Sequence, residues 1–428
     1  MKLFPDHWQT DSVSNLCSDV VDCINKTAPT VDVPTEFKMI RTTNVKSGRI
    51  NLDDCKYVDE ATFIKWTRRV QPRRNDIVLT REAPLGEVGL LRGDEKVFLG
   101  QRTVLYRANP EKLDQRFLYY SILGPLVQGQ IRSKGSGATV EHLRVPDAES
   151  FLVAFPPLEE QRKLAALLTA YDDLIANNQR CIALLESMAE EIYREWFVRM
   201  RFPGHLETSI VGGLPAGWAL KSLSEVARIN AHSIRRGAEP EFITYLDISA
   251  VGTNTFSEPV AMRFKDAPGR ARRLVRDGDV IWSSVRPGNK TYCLLLNPPS
   301  DLVVSTGFAV ISPRPGTPFS YLSKAVTTSE FTDQMVTVAK GAAYPATSFD
   351  DFEKAQLVWP AATLLSDYHN LTAPMLRKAS MLRKQSWLLA RQRDALLPRL
   401  ISGKLRVDHL DIHYPPSMQA EQDAAAEL

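Results

Sequence analysis

The sequence predicts an α+β chain of two similar mixed α/β globules, separated by two long helices that form an antiparallel coiled coil, the whole a pseudo-two-fold internal repeat. Three observations predict it. An apolar ladder without proline runs through residues 158–199. A second helix-forming stretch follows about 204 residues later, in register with the first. The segments of about 155 residues that precede the two stretches match one another piece by piece.

The first long stretch runs from Phe155 to Arg199. Pro157 sits where a first-turn proline is tolerated, and Glu159 and Glu160 follow at the positive end of the helix dipole. Leu164, Leu168, Tyr171, Ile175, Asn178, Ile182, Leu185, Ala189, Ile192 and Trp196 then alternate four and three residues apart, the seam of a coiled coil. Asn178 is its one polar member; it suits a register-setting pair with a polar partner and equally an exposed place on a frayed seam. At ~1.5 Å per residue the helix would span about 60 Å, so it serves as a spacer as well as a core element.

The expected partner lies between Pro360 and Val407, with Met375, Leu382, Leu389, Leu396 and Leu400 in register with the first seam. Pro374 and Pro398 predict a kink or a late start, and Ser386 and Arg393 fall at core-equivalent positions. The expected boundaries are a first globule over 1–155, the first helix over 156–200, a second globule over 201–358, the second helix over 359–407, and a flexible acidic tail over 408–428.

Between the globules, Ser18–Asn25 is matched to Ser224–Asn230, and Phe37–Ile50 to Phe242–Phe256. The clearest pair sets Arg68–Pro84 against Arg272–Pro287, where Asp76-Ile77-Val78 answers Asp279-Val280-Ile281. Each reads as a turn, a short buried strand and a polar loop. Lys134–Leu143 answers Lys340–Phe349, a Lys-Gly turn leading into a last strand. Leu214–Trp218 has no clean counterpart around Trp8.

Composition bounds the function classes. With 428 residues, 44% hydrophobic and 24% charged, the chain has ordinary globular content rather than that of a disordered protein. No apolar run reaches membrane-spanning length and no signal-peptide core opens the chain, so the expected location is the cytoplasm. Five cysteines without zinc or disulfide spacing predict reduced thiols. The net charge of +3 conceals an asymmetry: residues 408–428 hold five acids and no Lys or Arg, so the remainder carries +8. That suits a polyanionic partner without requiring one.

Leu214–Asn230 (LPAGWALKSLSEVARIN), Phe155–Ile175 (FPPLEEQRKLAALLTAYDDLI) and Leu396–Val407 (LLPRLISGKLRV), in this arrangement, resemble the specificity subunit of type I restriction-modification enzymes. The resemblance covers the chain to about Val407. It implies that each globule is a target recognition domain reading one half of a bipartite, gapped DNA sequence. It implies that the helices set the number of unread bases and dock two methyltransferase subunits, which motor-nuclease subunits join. S-adenosylmethionine, ATP and Mg would then be bound by those partners, with no cofactor, metal or catalytic residue in this chain.

Candidate contacts with double-stranded DNA follow from the matched loops. Arg68, Arg69 and Arg73 recur as Arg272, Arg273 and Arg276; they suit phosphates, and equally an exposed charged turn. The loops after the matched strands offer Arg81 and Glu82 in one half and Arg286, Asn289 and Lys290 in the other, residue types that read guanine and adenine edges. The turns at Lys134, Ser136 and Thr139, and at Lys340 and Tyr344, are the last candidates, each also explained by glycine in a tight turn.

Two motifs point toward catalysis. Asn297-Pro298-Pro299-Ser300 is similar to an amino-methyltransferase motif but carries Ser where an aromatic should stack on a flipped base. Pro5-Asp6 with Glu36-Phe37-Lys38 fits a loose Mg²⁺-nuclease pattern. Neither has supporting motifs around it, and no phosphate-binding loop occurs. The rival readings are a coiled-coil protein adaptor without DNA reading and a stand-alone nuclease or methyltransferase.

Overall fold

The computed structural model describes residues 4–135, 141–342 and 344–419. The chain is mixed α/β and divides into two compact units, Met1–Ile175 with Leu388–Leu428, and Ala176–Trp387. Both long helices contribute to each unit: an α-helix over Leu158–Tyr193, extended by a π turn over Arg194–Val198, and an α-helix over Ala362–Leu400.

In the first unit a six-stranded sheet has the order Cys17–Asp22, Thr103–Ala108, Ile77–Arg81, Leu85–Leu90, Gly48–Ile50, Val45–Lys46. Strand Ile77–Arg81 is covered on both faces, which is why its start, Ile77-Val78-Leu79, is apolar throughout rather than alternating. Ile77 and Leu79 face the core formed with Phe117, Ile122, Leu164 and Leu168, while Val78 faces a second core with Ile40, Val97 and Leu105. Strand Lys38–Ile40 pairs in parallel with Val97–Leu99 in a smaller sheet. Strand Gln9–Ser12 pairs antiparallel with Leu152–Phe155 just before the first long helix begins.

The second unit repeats this plan. Its sheet order Ala227–Ile229, Phe308–Pro313, Val280–Ser283, Tyr292–Leu294 corresponds to the first four strands above. Val280 and Trp282 face one core and Ile281 the other. Phe242–Leu246 pairs in parallel with Leu302–Ser305, and Ala219–Ser222 pairs antiparallel with Gln356–Trp359 before the second long helix.

Within each unit the two long helices run antiparallel. In the first, Leu164 and Leu168 share a core with Leu396, Leu400 and Ile401, and Asp172 meets Arg393. In the second, Glu186 meets Arg383 and the Tyr368 hydroxyl donates to the Ala189 carbonyl at 3.2 Å. Of the expected seam, Leu164, Leu168, Ile175 and Asn178 are buried, while Tyr171, Ile182, Leu185 and Ile192 are half-buried. On the second helix Leu382 and Leu400 are buried, and Met375, Leu389 and Leu396 are half-buried. Buried positions outside the expected seam include Tyr368, Thr372, Leu376, Ala379 and Ser386.

Four expectations are corrected. The second helix does not start late: it continues through Pro374 and Pro398. A mid-helix proline costs ~3 kcal/mol, and burial of Leu365, Tyr368, Leu376 and Leu382 offsets it. Asn178 is buried, but its amide Nδ2 has no hydrogen-bond partner among the described residues, so it makes no polar pair through that group. The stretch up to Gln419 is not a loose tail: Ile412, Tyr414 and Met418 pack on the first core, and Arg116 donates to Ser417. Finally, Trp8 and Trp218 are counterparts. Each stands one residue before the strand that pairs with the one leading into a long helix, with its backbone N–H on the carbonyl of a proline three residues back, Pro5 or Pro215, at 3.0 Å. The helix caps Ser12 and Ser222 follow four residues after each tryptophan, so Ser224 answers Ser14 rather than Ser18. Pro5-Asp6 is thereby an opening turn of the fold.

Candidate nucleic-acid interface

In the second unit two loops about 55 residues apart in sequence are joined into one exposed rim. Strand Val280–Ser283 runs out into Ser284, whose carbonyl accepts the Thr347 N–H at 2.8 Å, and Val285 bridges Ala346. The Arg286 N–H then donates to the Pro345 carbonyl at 2.7 Å. On the other side Lys340 and Ala346 exchange two backbone hydrogen bonds of 2.9 Å. The turn between them needs Gly341, which has φ +106° and would place a Cβ 3.0 Å from the Tyr344 carbonyl oxygen.

This joining seats the Arg286 guanidinium 4.5 Å from the centre of the Tyr344 ring, although Tyr344 is 70% exposed. A planar cation stacked on an aromatic face is held ready for a base edge or a base face. Arg286 and Lys290 both adopt left-handed φ, +50° and +53°, flanking the turn Pro287–Asn289. Non-glycine residues in that region carry strain that concentrates at functional loops. Arg286, Asn289, Lys290, Lys340 and Tyr344 are all exposed, so five of the sequence candidates meet on one rim.

The basic strand is placed differently. Arg272 is half-buried with its guanidinium 4.6 Å from the Phe264 ring. Arg273 lies over Phe349 at 5.0 Å, donates to the Ser233 hydroxyl at 3.1 Å, and burial pushes its guanidinium below its ordinary value. Arg273 is therefore a packing residue of the strand rather than a free phosphate contact. Arg276 is exposed on the turn that leads to Asp279.

The first unit has the same loop junction with other chemistry. Glu82 bridges His142 where Val285 bridges Ala346. The Glu82 carboxylate lies 3.2 Å from Arg102 and 3.3 Å from His142. Arg81 is not a base reader: it is the last residue of its strand, 7% exposed, and donates to the Leu143 carbonyl at 3.0 Å. Arg68 and Arg73 are exposed, whereas Arg69 pairs with Asp22 at 2.6 Å. Lys134 is tied to the Ser150 hydroxyl. Ser136 and Thr139 lie outside the described residues.

Comparison with known proteins accounts for this plan. Residues 18–187 match the family model of the type I restriction modification DNA specificity domain. Over 368 residues the chain is 24% identical to the MjaIX type I restriction enzyme specificity subunit of Methanocaldococcus jannaschii, covering 82% of each. The chain is thus similar, over most of its length, to type I restriction-modification specificity subunits. It is also 26% identical over 232 residues to the MjaVIII specificity subunit of the same organism, 53% of each chain. Its fold is similar to the crystal structure of the S subunit of a type I restriction-modification system from M. genitalium, with a TM-score of 0.53 at 16% identity over 94% of this chain and 98% of that one.

In this chain the two catalytic-looking motifs have structural roles. Asn297 adopts a left-handed turn, takes the Asp277 carboxylate on its N–H at 2.7 Å, and offers its carbonyl to Lys384 of the second long helix. Glu36 pairs with Lys96 at 2.9 Å. Among the described residues no three His, Cys, Asp or Glu groups gather where a metal ion would fit, and no helix is long and apolar enough to cross a membrane.

Sequence reasoning missed one polar centre entirely. Asp172, 1% exposed, joins Arg393 at 2.5 Å, Arg92 at 3.2 Å and the Tyr120 hydroxyl at 2.8 Å. Its only signal was an acid one step off the apolar ladder at Tyr171, matched by an unexplained Arg393 at a core-equivalent position.

Proposed function

We propose that this chain is a specificity subunit that reads a bipartite, gapped sequence in double-stranded DNA, one half with each unit, while the two long helices set the gap. On this reading the chain does no chemistry. Two methyltransferase subunits dock on the helices, motor-nuclease subunits join them, and these partners bind S-adenosylmethionine, ATP and Mg. The observation that carries the reading is the rim of the second unit, where Arg286 stacks on exposed Tyr344 beside Asn289 and Lys290. Those are the residue types that read base edges and position phosphates. The corresponding junction of the first unit carries Glu82, His142 and Arg102 instead, as expected if the two halves of the target differ.

The test is to co-purify the chain with its methyltransferase partner and map methylated adenines in DNA exposed to the complex. One asymmetric gapped motif that disappears when the chain is omitted is the expected result. An ungapped motif, or methylation indifferent to the chain, would overturn the reading.

A further inference from the structure

The two halves of the fold diverge sharply at one pair of equivalent positions. In the first unit the buried Asp172 carboxylate binds guanidinium groups from two different elements. Arg393 comes from the second long helix, and Arg92 from the turn after strand Leu85–Leu90. Burial opposes the charge on Arg393, yet the Asp172 carboxylate holds it above its ordinary value. At a shift of 204 residues, Asp172 and Arg92 correspond to Leu376 and Leu296, and Arg393 corresponds in reverse to Ala189. Those three lie together in one apolar cluster of the second unit with Phe319 and Ala373. The same place in the repeat is ionic in one unit and apolar in the other.

The difference bears on helix register. On the second long helix Leu365, Thr372, Ala379, Ser386, Arg393 and Leu400 recur every seven residues. All but Arg393 are buried, and most are small, so apolar packing discriminates weakly between this pairing and one displaced by a heptad. Displacement would set Ser386 or Leu400 where Arg393 stands and leave a buried carboxylate without its helix partner, among the costliest defects a core can carry.

We propose that Asp172 is a positioning residue that fixes which residues of the second long helix the first one meets and, through Arg92, seats the first recognition unit on that pair. The inference rests on the bipartite-target reading above, because register then sets the number of unread bases. A one-heptad slip moves the helices by about 10.5 Å, roughly three base pairs of duplex.

The experiment uses the full chain with its methyltransferase partner and reads the gap length in the methylated motif. The parent complex serves as the control: if it yields no gapped motif, the proposed function fails rather than this inference. Asp172→Ala is expected to methylate the same two half-site sequences across additional gap lengths, with preference for the parental gap falling about tenfold. Arg393→Lys, which keeps the cation, should keep one gap. Should Asp172→Ala fail to fold, the triple variant Asp172→Leu, Arg92→Leu, Arg393→Ala copies the apolar cluster of the second unit and is expected to fold with relaxed gap choice. An undiminished parental gap preference in either the alanine or the triple variant would reduce Asp172 to a structural residue and overturn the inference.

Discussion

Replacing Arg286 with Ala separates base reading from phosphate attraction in the second unit. The side chain is exposed and forms no ion pair among the described residues, so its loss should change folding stability by no more than ~1 kcal/mol. Among the described residues it stacks on Tyr344, an exposed cation–π pair of ~0.5–1 kcal/mol that orients the guanidinium. On the cognate duplex the variant forfeits a two-pronged contact to a base edge of ~1–3 kcal/mol, about a 5- to 150-fold rise in Kd. On a duplex whose second half-site is scrambled it forfeits only one cation, lowering the salt slope by ~0.9 at most. Fluorescence anisotropy with the co-purified complex on both duplexes, over a salt series, measures both terms. Equal weakening on the two duplexes would make Arg286 a phosphate contact. No weakening on either would remove the rim from the interface and refute the reasoning.

Lys290→Ala and Lys340→Ala should each weaken all duplexes alike and flatten the salt slope by roughly one, measurable in the same titrations. Trp282, fully buried with its indole N–H on the Val326 carbonyl at 2.9 Å, anchors the second unit; Trp282→Phe should cost ~1–3 kcal/mol in urea unfolding by stranding that carbonyl. Asp279 supplies a pH test. Burial pushes its carboxyl up from 3.8 to about 6, against the Arg276 N–H that hydrogen-bonds it. A folded-state pKa above the unfolded one gives stability that is full below pH ~4 and lost as pH rises through 6, on the order of 3 kcal/mol. Asp279→Asn should therefore stabilise the chain more at pH 8 than at pH 4.5, and an equal shift in urea midpoint at the two pH values would contradict it.

The long helices were legible because one apolar ladder of ten positions leaves little freedom in phase. Their mutual register was not, because the covered face of the second helix interleaves Thr372, Ala379 and Ser386, which carry little hydrophobic signal, with its larger apolar residues, while Met375 and Leu389 lie beside it. The repeat was legible at Asp76 and Asp279, where the offset is 203 residues, and lost at Trp8 and Trp218, where it is 210. A few residues of length change between those points suffice to hide a match that the strand pairing restores. Of the rim, Arg286 and Tyr344 were found as separate turns; that Val285 bridges Ala346 is a long-range pairing that no local pattern encodes. Arg81 was misread because one more residue of strand turns a loop cation into a buried donor.

The places where the two units differ are not scattered. Asp76 is satisfied by Arg107 at 2.6 Å, whereas its counterpart Asp279 is left with a raised pKa and its principal hydrogen bond from a backbone N–H. Glu82 and His142 stand where Val285 and Ala346 stand, and Asp172 stands where Leu376 does. The order of the four shared strands and the parallel pair, by contrast, are kept. On the proposed reading, a duplicated reader keeps its scaffold and changes its rim, because its two copies must read different bases. The junction beneath each unit differs as well, ionic at Asp172 and apolar at Leu376; on the proposed reading, that difference and the one at the rim answer the same requirement for an ordered, asymmetric target.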